Sequence, residues 1–73
     1  MSPEKLVYMA NQIGKFFASQ DKEKAVAAVA DHLLKFWDPR MRKTIVGYAG
    51  SGGEGMDPFV REAVRRLGGE AHP

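Results

Sequence analysis

Three times in 73 residues a helix-capping side chain stands directly before a proline, at Ser2-Pro3, Asp38-Pro39 and Asp57-Pro58. The Ser or Asp oxygen can accept from a first-turn N–H that has no partner inside the helix, and proline at the first helical position gives up no bond, because its N–H would be unpaired there. For Asp, the negative charge also faces the positive end of the helix dipole. Each pair therefore predicts a helix start. Proline biases its predecessor away from helical angles, so any helix arriving from upstream must end by about Trp37.

The apolar pattern fills in what lies between these starts. Leu6, Met9, Ala10, Ile13, Phe16 and Phe17 have the three-and-four spacing of one helical face, with Lys5, Asn11, Gln12 and Lys15 on the other side. After a polar break at Ser19-Gln20-Asp21, the same spacing runs through Ala25, Val26, Val29, Ala30, Leu33, Leu34 and Trp37. These two segments predict an antiparallel helical hairpin over about 3–19 and 22–37. A third helix, about 39–49, puts Met41, Ile45 and Tyr48 or Ala49 on one side and ends at Gly50. Residues 50–56 read as a flexible glycine-rich loop that would let the last helix dock at variable angles. That helix, 58–67, turns Val60, Val64 and Leu67 inward and Arg61, Arg65 and Arg66 mostly outward, and 68–73 reads as a frayed tail. No segment alternates with period two long enough for a strand. The fold expected is all-α: one domain over 1–73, a small bundle of three to four helices made of a hairpin and two shorter helices.

Domains of this size bury a small share of their surface and are marginal without staples or partners. There is no cysteine for a disulfide or thiolate metal site. No signal peptide and no membrane span is read from the sequence, which predicts a soluble cytoplasmic protein. Residues 1–37 hold five Lys and four acids, and residues 38–73 hold six Lys or Arg and five acids. So even a balance gives no electrostatic case for nucleic acid.

Catalysis needs converging groups, and none are found. His32 is the one histidine inside a helix, and Asp31 beside it lies on a different face. His72 stands in the tail with no second ligand nearby. The glycine run follows a helix rather than a strand and lacks the Lys-Ser/Thr ending of a P-loop, so it is read as a linker. Arg40, Arg42, Lys43, Arg61, Arg65 and Arg66 could share a surface, but Asp38, Asp57 and Glu62 stand among them, which suits acidic groups on a protein better than phosphates. The aromatic residues exceed what a core this small needs. Adjacent pairs such as Phe16-Phe17 and Phe36-Trp37 point about 100° apart on a helix, so one member of each is a candidate for a partner surface.

Met9-Ala10-Asn11-Gln12-Ile13 followed by Phe16-Phe17, then Val29-Ala30-Asp31-His32-Leu33, and above all Phe36-Trp37-Asp38-Pro39-Arg40-Met41-Arg42, closely resemble the delta subunit of NAD-dependent, molybdenum-containing formate dehydrogenase. Asp57-Pro58 and Val64-Arg65-Arg66-Leu67 fit as well, so the likeness covers almost the whole chain. It implies an enzyme that oxidises formate to carbon dioxide and passes electrons through iron–sulfur clusters and FMN to NAD, with molybdopterin in the large alpha subunit. The delta chain would itself bind no cofactor.

The reading that follows is a non-catalytic accessory subunit of a hetero-oligomer. It binds the large molybdenum-bearing subunit and supports assembly or stability, without nucleic acid or membrane. Phe36, Trp37, Arg40, Met41 and Arg42 are its partner-binding candidates, with Trp37 and Arg40 or Arg42 as anchors; Ser2, Asp38, Pro39, Asp57 and Pro58 are structural. The alternative is a free-standing helical regulator that binds nucleic acid or self-associates.

Overall fold

The computed structural model describes residues 2–69. They form four helices, α1 (Pro3–Phe17), α2 (Lys22–Phe36), α3 (Pro39–Gly50) and α4 (Pro58–Leu67), with no strand among the described residues. The first two helices stop slightly sooner than the apolar spacing predicts. Ala18 and Gln20 donate to Lys15 and Phe17 carbonyls in tight turns, and Trp37 is already extended at φ −92°, ψ 139°. Of the tail, 68–73, only Gly68 and Gly69 fall within the described residues.

Three of the helix starts are capped as the side chains dictate. Ser2 Oγ accepts from the Lys5 N–H at 3.3 Å, Asp21 Oδ1 from Lys24 at 3.0 Å and Asp38 Oδ1 from Met41 at 2.8 Å. Asp57 differs from the expectation. It holds the N-cap position ahead of Pro58 but makes no side-chain cap bond. Its own N–H is taken instead by Asn11 Oδ1 at 3.0 Å, so the entry to α4 is held from across the fold.

The core gathers the inward faces of all four helices: Leu6 and Ala10, Val26, Val29 and Leu33, Ile45, and Val60, Ala63 and Val64, all essentially without solvent contact. Each enclosed aliphatic side chain contributes roughly 1.5–3 kcal/mol, against about 1 kcal/mol for a cap. Burial therefore holds the bundle together, and the caps set where its helices begin. Helix α4 packs on each of the other three, most extensively on α2. Its approach to α1 passes over Gly14, where an added Cβ would collide with Val60 Cγ2. No helix among the described residues is long and apolar enough to cross a membrane.

The segment between α3 and α4 is not the loose linker its glycines suggest. Tyr48 Oη donates to the Glu54 carbonyl at 2.8 Å, Arg61 to the Gly53 carbonyl at 3.3 Å and Asn11 Nδ2 to the Gly55 carbonyl at 2.9 Å. Met56 is buried and joins the core. Gly53 has φ +63°, and a Cβ there would lie 3.0 Å from Arg61 Nε. Glycine at this position lets the arginine tuck beneath the loop, so Arg61 does not point outward. Helix α4 is thus fastened at its entry and built into the core.

Candidate docking surface

The corner between α2 and α3 carries the run Phe36 to Arg42, and the fold divides that run into residues with an internal task and residues without one. Trp37 leaves the helix in extended conformation and turns into the core, 6% exposed. This corrects its assignment as a partner anchor: the indole is an interior side chain of the folded chain. Asp38 caps α3, and Pro39 stands at the first helical position. Met41 is half-buried and packs against the core.

Arg42 is also occupied from within. Its guanidinium donates to the Trp37 carbonyl and, at 3.2 Å, to the Leu34 carbonyl. Leu34 lies in the last turn of α2, whose carbonyls have no helical partner, and Trp37 is the residue that caps it. Arg42 therefore finishes α2 from the first turns of α3, and its reading as a partner anchor gives way to that of a clasp. Two residues of the run remain. Phe36 is 72% exposed, and Arg40 lies at the surface, its side chain making no hydrogen bond or ion pair with another described residue.

Phe36 does not stand alone. Its ring is 4.7 Å from that of His32, which is 6.3 Å from Phe17, which meets Phe16 edge-on at 5.1 Å. The four rings form a row across α1 and α2, with half-buried Phe17 and His32 in the middle and the two ends in solvent, Phe16 at 79% exposure. Sequence spacing placed both Phe16 and Phe17 on the inward face; Phe17 alone packs against the core, and Phe16 lies edge-on to it in solvent. His32 acts as the bridge that carries the row from one helix to the next, a role that only the packed hairpin reveals.

The supposed basic surface separates in the same way. Arg66 pairs with Glu62 at 3.5 Å and Arg65 with the same carboxylate at 4.0 Å. Arg61 serves the loop and Arg42 the corner. Lys35, next to Phe36, pairs with Asp31 at 3.1 Å. Among the basic candidates, Arg40 and Lys43 are left facing solvent. His72 lies outside the described residues. No group of three or more His, Cys, Asp or Glu among the described residues is placed to hold a metal ion.

A family model described as "NADH-dependant formate dehydrogenase delta subunit FdsD" matches residues 5–64. The chain belongs to that family. No curated protein and no solved structure gives a significant match. The FdsD match covers most of α1, all of α2 and α3 and most of α4, with the corner and the aromatic row inside it. Membership makes the chain a subunit of a formate dehydrogenase complex, and so one part of a hetero-oligomer.

Proposed function

We propose that this chain is a non-catalytic accessory subunit of NAD-dependent formate dehydrogenase that docks on the large, molybdenum-bearing alpha subunit and supports its assembly or stability in the cytoplasm. The observation that carries the reading is the pair of solvent-facing rings, Phe16 and Phe36, at the ends of one aromatic row in a chain of this family. Aromatic side chains bury 150–250 Å² each. Two that are three-quarters bare present roughly 300 Å² of apolar surface, as much as the largest patch on many monomers.

The chemistry of the chain agrees. It has no cysteine for an iron–sulfur cluster, and His32 is not grouped with other ligands among the described residues. On this reading molybdopterin, iron–sulfur clusters and FMN lie in other subunits. Electron transfer then proceeds without a group from this chain, whose contribution is to cover and steady a surface of the alpha subunit.

The test is to express the remaining subunits with and without this chain and to compare the yield of alpha subunit, its molybdenum content and its half-life at elevated temperature. Co-purification with the alpha subunit, together with a longer half-life or higher yield, is the expected result. Equal yield, metal content and half-life in both preparations would sink the accessory role.

A further inference from the structure

Resting on that docking reading, we infer that the partner surface is an apolar pocket rimmed by carboxylates, with Phe36 entering the pocket and Arg40 and Lys43 meeting the rim. The inference starts from an imbalance of charge. Residues 31–43, which include the Lys35–Asp31 pair, hold four cations and two acids, an excess of two that equals the net charge of the whole chain. The remainder of the molecule is therefore balanced, and the positive charge is concentrated at the corner where Phe36 is bare.

The position of those cations sharpens the point. Arg40 and Lys43 lie in the first turns of α3, and the first turn of that helix has no acidic residue. The N-terminal end of a helix is its positive end, which favours anions and disfavours cations. Among the described residues neither Arg40 nor Lys43 makes an ion pair; Asp38 caps α3 through the Met41 N–H, and Asp31 is paired with Lys35. Arg42, the third cation there, is held by backbone carbonyls. A carboxylate supplied from outside would answer the two side-chain charges.

Phe36 and Arg40 are four residues apart across the corner, hence no more than about 15 Å between Cα atoms, a span that one patch on a partner can cover. Interfaces of this kind pair a desolvated aromatic anchor with charges at the rim, the anchor giving most of the affinity and the rim charges the encounter rate.

The experiment measures binding of the full-length chain to the purified enzyme lacking it, at low and high salt, for wild type, Phe36→Ala, Arg40→Glu with Lys43→Glu, and the control Lys24→Glu at the far end of α2. Circular dichroism melts confirm that each variant is folded. Phe36→Ala should bind about thirtyfold more weakly at both salt concentrations. The double charge reversal should lose about tenfold at low salt and far less at high salt, and Lys24→Glu should match wild type. If wild type binds and folded Phe36→Ala and the double reversal bind equally well, the assigned face is wrong while the docking reading stands. Failure of wild type to bind the enzyme at all defeats the docking reading itself. A wild-type homodimer by light scattering that Phe36→Ala dissolves, or salt-sensitive retention of an oligonucleotide that the charge reversal abolishes, overturns the inference in favour of a second copy or a nucleic acid.

Discussion

Gly14 and Val60 set the distance between the first helix and the last. There is no room for a Cβ at position 14, because Val60 Cγ2 occupies the place it would take, and Val60 is itself fully enclosed. Glycine is a poor helix former, about 1 kcal/mol worse than alanine. Its presence in the middle of α1 is explained by the closeness of α4, with the Phe59 ring against the same spot.

Gly14→Ala therefore tests two opposing effects. Alanine gains roughly 1 kcal/mol of helix propensity, whereas overpacking a finished core costs about 1–3 kcal/mol. Val60 is short, branched and surrounded, so the collision should win. The expected outcome is a lower urea midpoint, with the Gly14→Ala, Val60→Ala double variant losing less than the sum of the two single losses. A stabilised single variant would show that the helices can part.

Asn11 spends both ends of its amide on the segment before α4, giving to Gly55 and receiving from Asp57. Asn11→Ala removes both bonds and should cost about 1–3 kcal/mol. Amide hydrogen exchange locates the loss: the Asp57 N–H should exchange much faster in the variant, and α2 amides should change only with global stability.

Trp37 and Phe36 are neighbours in sequence with opposite fates, and alanine should separate them. Trp37→Ala empties a core position and should cost about 3–5 kcal/mol, enough to leave a domain this small largely unfolded. Phe36→Ala removes a bare ring and should stay within about 0.5 kcal/mol of wild type. Thermal melts of the two variants would decide this, and equal losses would contradict the burial assigned to each.

Asp38 and Asp57 share a motif but not a bond. Asp38→Ala forfeits the Met41 cap and should lower stability by about 1 kcal/mol. Asp57→Ala loses no such bond and should cost less, only a residual charge–dipole contribution. Parallel denaturation curves provide the comparison.

How far the sequence predicts this fold follows from which signals are local. Helix starts are legible because a cap and a proline act within one turn, and core faces because 3.6-residue spacing repeats along each helix. Gly14 carries no apolar signal, so its place against Val60 emerges only when α1 and α4 meet. The same holds for Asn11 and Arg61, polar residues that spacing sends outward and that the fold turns onto loop carbonyls. Trp37 misleads for a different reason: the three-and-four spacing puts it on the core face of α2, where it is buried, but the surplus of aromatics also marked it as an anchor. Of the candidate surface, Phe36 and Arg40 are visible as members of an unusual run. Their separation from Trp37, Met41 and Arg42 needed the partners of each side chain.

The clasp of Arg42 on the end of α2 bears on the cost of association. With Asp38, Pro39 and Arg42 all engaged, the backbone carrying Phe36 and Arg40 has little freedom left to lose. A contact made there immobilises a few side-chain rotamers, at roughly 0.5–1.5 kcal/mol each, and leaves the ordering of the corner already accomplished by folding. Loosening the corner through Arg42 would thus transfer an entropic penalty from folding to binding, weakening a complex without altering any residue that touches it.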